Sequence, residues 1–94
     1  MNIKIKGYLT FQSLIGEQVL YLDDQKKITL RELLARLSNQ YGLGDSLYQT
    51  PAGTVNASTV VLVNGRHHSH MPDRLDTILQ DGDEVSICPP LVGG

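Results

Sequence analysis

Residues 81–94 read DGDEVSICPPLVGG, and their order decides how the rest of the chain has to be assembled. Asp81-Gly82-Asp83 is a turn signal, since glycine there supplies backbone angles that side chains oppose. Glu84 to Cys88 follows as a short strand. Pro89 and Pro90 end it, because proline has no N–H to donate to a ladder. Just upstream, Leu75, Ile78 and Leu79 are placed to close a core from a short helical turn. Asn64-Gly65 marks a tight turn. Thr59-Val60-Val61-Leu62-Val63 before it is a continuous, β-branched run, as expected of a strand buried on both faces.

Further back, residues 43–58 hold Gly44, Pro51, Gly53 and several Ser, Thr and Asn, and read as an irregular connection with one short helical turn. The segment before them carries the clearest helix. Thr29 stands three residues ahead of Glu32, the capping-box spacing in which each side chain can satisfy the other's free backbone N–H. Leu30, Leu33, Leu34, Leu37 and Tyr41 form one apolar stripe at helical spacing. Gly42 follows at the position where a left-handed cap is least strained. The main helix is therefore expected over about residues 30–41.

At the start of the chain, Ile3, Ile5, Leu9 and Phe11 share one parity and Lys4, Lys6 and Thr10 the other. That period of two predicts a half-buried strand. Gly16-Glu17 offers a turn into a second strand, Gln18-Val19-Leu20-Tyr21-Leu22, so a hairpin is expected. Strand, strand, helix, strand and final strand make an α+β fold, a mixed sheet of four to five strands packed on one main helix. In a β-grasp (ubiquitin-like) arrangement of these elements the last strand lies centrally and its end points away from the body. Residues 1–88 are then a single domain and 89–94 a projecting tail.

Composition excludes several roles. With 94 residues and a net charge of -2, and with its Lys and Arg scattered, the chain offers no clustered basic face for nucleic acid. No apolar stretch approaches the roughly 20 residues that span a bilayer, and the alternating N-terminus lacks the apolar block of a signal peptide. One cysteine rules out an internal disulfide framework and fits a reducing cytoplasm. A cytoplasmic location is the expectation.

Three histidines, His67, His68 and His70, crowd one short loop. Tetrahedral metal sites recruit ligands from separate segments, and three imidazoles so close in sequence do not readily face one ion, so a solvated loop is expected and no metal. Nothing charged flanks Cys88 to lower its pKa, which makes it a surface or interface thiol and not a nucleophile. The glycines of 42–46 (GLGDS) follow a helix where a dinucleotide loop follows a strand. The chain is expected to have no catalytic site of its own.

The tail has different chemistry. Prolines restrict Leu91 and Val92 before docking and so lower the entropy lost on binding. Gly93 and Gly94 fit a channel too narrow for side chains. A terminal carboxylate has a pKa of about 3.5 and is ionised at neutral pH. It can attack the α-phosphate of ATP to form an acyl-adenylate, which then accepts sulfur or an amine.

Residues 63–94 resemble the MoaD/ThiS family of ubiquitin-like sulfur carriers, and within it the small subunit of molybdopterin synthase. The matching pieces are Val63-Asn64-Gly65, Leu75-Asp76-Thr77, the Asp81-Gly82-Asp83-Glu84-Val85 turn and strand, and the tail from Pro89-Pro90 to Gly93-Gly94. The resemblance implies a β-grasp fold and a cycle of partners. An ATP-dependent adenylating enzyme of the ubiquitin-activating type consumes ATP to activate Gly94, with no cofactor bound to the chain itself. A sulfurtransferase donor converts Gly94 to a thiocarboxylate. The large synthase subunit then receives the tail and passes the sulfur to a pterin precursor. In this scheme Gly93 gives clearance, Pro89, Pro90, Leu91 and Val92 guide insertion, and Cys88 belongs to the docking surface. The same fold also serves carriers for cysteine, thiamine or tRNA thiolation, ubiquitin-like modifiers of lysines, and plain interaction modules.

Overall fold

A computed structural model describes residues 1–23 and 25–89. A five-stranded mixed sheet is built in the order β2-β1-β7-β5-β6. Its strands are β1 (Asn2–Gly7), β2 (Glu17–Tyr21), β5 (Val60–Val63), β6 (Arg66–His67) and β7 (Glu84–Cys88). β1 and β7 run parallel, with Ile5 opposite Val85 and Gly7 opposite Ile87; the other pairs are antiparallel. The final strand is thus central, as the β-grasp reading requires.

Register explains the core. Ile3 and Ile5 of β1, Val85 and Ile87 of β7, and Val61 and Val63 of β5 share one face, and all are buried. Against that face lies helix α2 (Leu30–Gln40), which presents Leu30, Leu33, Leu34 and Leu37. Alternate residues on the other face, such as Lys4, Lys6, Glu84 and Leu62, are partly or fully exposed. The 59–63 run is therefore buried on one face and half-buried on the other, since no second layer covers the sheet there.

Helix α2 ends as its sequence requires and begins on the Thr29 half of the expected capping box. The Glu32 N–H donates to Thr29 Oγ1 at 3.1 Å, while the Thr29 hydroxyl turns to the Glu32 carboxylate at 3.1 Å. At the other end Gly42 takes φ +62°, and the Leu43 N–H reaches back to the Ser38 carbonyl at 2.9 Å, closing a Schellman cap. Thr29→Ala is expected to cost about 1 kcal/mol, read as a lower urea midpoint at unchanged slope.

Several local expectations are corrected. The first strand stops at Gly7: Leu9 sits in a turn, 64% exposed, and Phe11 is buried from a short helix α1 (Thr10–Leu14). β1 and β2 are still antiparallel neighbours, joined through α1 and not by a tight hairpin. The 43–58 connection contains a 3-10 turn (Gly44–Ser46) and also a small hairpin of β3 (Tyr48–Gln49) with β4 (Thr54–Val55). Arg31 of α2 fastens that hairpin, donating to the Tyr48 hydroxyl at 3.0 Å and to the Gly53 carbonyl. Leu75 and Leu79 close the core as anticipated, whereas Ile78 points outward, 45% exposed.

Candidate functional site

The end of β7 is where the core sheet hands over to the tail. Ile87 is fully buried, and its carbonyl accepts the Tyr8 N–H at 2.9 Å, one residue beyond the end of β1. Cys88 lies opposite Val60 on the open face. Tyr8, Leu62, Ser86 and Cys88 line an open recess of about 430 Å³ there, with Asn64, Gly65 and Glu84 at its far side. Lys6 Nζ stands 5.0 Å from the Tyr8 ring centroid, a cation–π contact that helps hold the phenol over the sheet.

Cys88 is half-buried, and burial pushes its thiol up from the ordinary value. At neutral pH it is a protonated thiol, suited to packing against a partner and unsuited to nucleophilic attack. Of the residues singled out from the sequence, the structure places Cys88 and Pro89 together at the root of the tail. Pro90, Leu91, Val92, Gly93 and Gly94 lie outside the described residues. Tyr8 is a neighbour of this root that sequence reasoning missed. The signal was there in the uncharged run 7–16, GYLTFQSLIG.

Gly7 sets the close approach of α1 to the strand. A Cβ on it would lie 2.3 Å from the Phe11 carbonyl oxygen, inside any allowed contact. The helix therefore packs directly against the backbone of β1, and Tyr8, between the two, shares the recess with Cys88.

The histidines sit together at the far edge of the sheet, with the His70 ring centroid 5.9 Å from that of His67. His67 Nδ1 accepts the Ser69 N–H at 3.2 Å, capping the 3-10 turn His68–His70. His68 Nδ1–H donates to the Val61 carbonyl at 3.3 Å. The two rings stack with centroids 4.5 Å apart. Among the described residues no group of three or more His, Cys, Asp or Glu side chains is placed to hold a metal ion. Likewise, among them no helix is long and apolar enough to cross a membrane.

Burial, and secondarily the charge of His67, pull the His68 pKa below its ordinary value of 6.5 despite the Val61 hydrogen bond. Asp73, Asp76, Arg31 and Arg74 line the same groove. The unfolded chain thus binds the proton more readily, so stability contributed by neutral His68 is lost as pH falls below about 6.5 towards the folded value. His68→Asn is expected to flatten the fall in melting temperature between about pH 7.5 and 5.5, measured by thermal denaturation beside the parent protein.

The sequence profile of the ThiS family matches residues 11–94. The chain is 34% identical over 95 residues to small archaeal modifier protein 3 of Haloferax volcanii, covering 100% of both. It is 34% identical over 71 residues to an Archaeoglobus fulgidus protein with a proposed sulfur-carrier role, covering 76% of this chain and 80% of that one. A solution structure of a Haloferax volcanii protein superposes with a TM-score of 0.78 at 34% identity, covering 100% of this chain and 87% of the other.

Proposed function

The chain belongs to the ThiS family of ubiquitin-like proteins, and from that premise we propose that it is a sulfur carrier whose Gly94 is adenylated and thiocarboxylated. The observation that carries this reading is the extent of the match, which runs through residue 94 and so includes the whole segment from Cys88 to Gly94. The proposed pathway is molybdopterin synthesis, with the chain as small subunit of the synthase, because residues 63–94 resemble that subunit.

The chemistry divides between the chain and its partners. The Gly94 carboxylate attacks the α-phosphate of ATP on the adenylating enzyme, and pyrophosphate leaves. The outer sulfur of a persulfide on the sulfurtransferase displaces AMP to form an acyl disulfide, and a thiol cleaves that bond, leaving a thiocarboxylate on Gly94 and a disulfide on the donor side. The large subunit then accepts the tail and moves that sulfur to the pterin precursor, restoring the carboxylate. Pro89 to Gly93 guide the tail, and Cys88 with the open sheet face meets the partner. ATP is consumed by the partner and no cofactor is held by the carrier.

A second reading has its own support. The relative that aligns over the full length of both chains is a modifier protein, so Gly94 ending in an isopeptide bond to lysine shares the same first step. Intact-mass measurement of the protein from its own cells separates the two. Exchange of one oxygen for sulfur at Gly94 supports the carrier, and covalent attachment to other chains supports the modifier. A Gly94 left unmodified under every growth condition overturns both.

A further inference from the structure

The edge strands of a sheet normally carry some device against pairing with another chain. The edge at β6 has one: the strand is two residues long and runs straight into the 3-10 turn of residues 68–70. The edge at β2 has none. Glu17–Tyr21 pairs with β1 in one unbroken register, without bulge, proline or lysine. Val19 and Tyr21 stand exposed on it, at 40% and 74%.

Register fixes which backbone groups are left over. The Leu22 N–H donates to the Met1 carbonyl at 2.8 Å, the Leu22 carbonyl accepts from the Met1 ammonium at 2.9 Å, and the Gly16 carbonyl accepts the Gly7 N–H. Antiparallel alternation then turns the N–H and C=O of Gln18 and Leu20 toward β1, and those of Glu17, Val19 and Tyr21 away from it. Among the described residues no backbone group pairs with that outer row. An extended strand answers such a row group for group, and β2 itself is such a strand.

We propose that β2 is a self-association surface, on which a second copy of this chain pairs antiparallel about a two-fold axis at Val19. Glu17, Val19 and Tyr21 then each exchange both backbone bonds with Tyr21, Val19 and Glu17 of the second copy. Charge and burial select this register. Glu17, the one charged residue of the strand, faces Tyr21 and lies about 14 Å along the strand from its own counterpart. An axis at Leu20 would set Glu17 against Asp23, carboxylate on carboxylate. One at Gln18 would set Tyr21 against Ile15, which is buried in the core. The pairing closes on itself, since each copy uses its one unguarded edge. β1 stands between β2 and β7, so both Cys88 recesses stay open, and the proposal is independent of the carrier reading. A five-residue strand pair buries less than the roughly 1,200 Å² of a standard interface. The dimer is therefore weak, with a Kd on the order of 10⁻⁴ M.

The test is sedimentation equilibrium of the parent protein from about 20 µM to about 1 mM, with amide NMR spectra over the same range. The mass is expected to rise from 10.4 kDa toward twice that value. The Val19 and Tyr21 amides are expected to shift with concentration, and those of Gln18 and Leu20, bonded to β1, to shift less. Val19→Lys sets like charges opposite one another across the axis, and Tyr21→Pro removes an outward donor without touching the pairing to β1. Each is expected to weaken the dimer about tenfold or more, while Val19→Thr keeps it. Should Val19→Lys fail to fold, Tyr21→Pro and the parent amide shifts still decide. A parent that stays at 10.4 kDa throughout overturns the proposal and leaves the edge to a strand from a different protein. Dimers that survive both Val19→Lys and Tyr21→Pro overturn it as well, as do concentration-dependent shifts confined to Tyr8, Ser86 and Cys88, which would place the contact on the open recess.

Discussion

Deletion of Gly94 is expected to abolish adenylation while leaving the melting temperature where it was. The deletion still leaves a terminal carboxylate, now on Gly93, but draws it back by one residue, about 3.5 Å. An in-line attack on a phosphate does not tolerate that displacement, since even about 1 Å of misplacement can cost about a hundredfold in rate. Exchange of pyrophosphate into ATP should fall by at least that factor. The core gives no reason for a matching loss of stability: every buried apolar residue described lies between Ile3 and Ile87, so a change within about 0.5 kcal/mol is expected. Thermal melts and exchange rates measured on one preparation decide the matter. A deletion that unfolds the domain would make residue 94 structural, and one that still loads at the parent rate would move the reactive group elsewhere.

This separation between a core that ends at Ile87 and a chemistry assigned beyond Cys88 was largely legible in the sequence, because its signals are local. Thr29, the leucine spacing and Gly42 each act within a turn or two of helix; the spacing and Gly42 operate as read, and the capping box forms by its Thr29 half, the Glu32 carboxylate accepting the Thr29 hydroxyl and not its backbone N–H. The last strand is bounded by Gly82 and Pro89, and its bounds are the ones observed. Other features were hidden for equally physical reasons. Leu9 and Phe11 keep the parity of Ile3 and Ile5, so period-two patterning runs straight across a turn. Leucine is not a turn residue, and nothing in composition announces its positive φ. The two-residue strands β3 and β4 are too short to have a period. The nearness of Tyr8 to Cys88 arises from parallel pairing between the two ends of the chain, which has no local signature at all.

Gly7→Ala is expected to be the most destabilising single methyl group that can be added near the site. The new Cβ would lie 2.3 Å from the Phe11 oxygen and 2.7 Å from the Phe11 carbonyl carbon. Both are backbone atoms, so no change of rotamer relieves the clash. Helix α1 cannot simply retreat, because Phe11 and Ile15 are buried in the core and the Phe11 oxygen already accepts the Ile15 N–H at 2.8 Å. Strand β1 cannot retreat either without opening its parallel pairing with β7 and the Gly7 N–H bond to the Gly16 carbonyl at 2.8 Å. Overpacking against immovable atoms costs about 3 kcal/mol, a large share of the 5 to roughly 15 kcal/mol that hold a domain folded. The same displacement loosens the Tyr8 N–H from the Ile87 carbonyl at the root of the tail, so carrier loading is expected to weaken together with stability. Urea denaturation with an unchanged slope measures the first effect, and pyrophosphate exchange at a temperature where the variant is folded measures the second. A loss under about 1 kcal/mol would mean that α1 is free to slide along β1, and the 8–9 turn would then not be a fixed platform beside the tail.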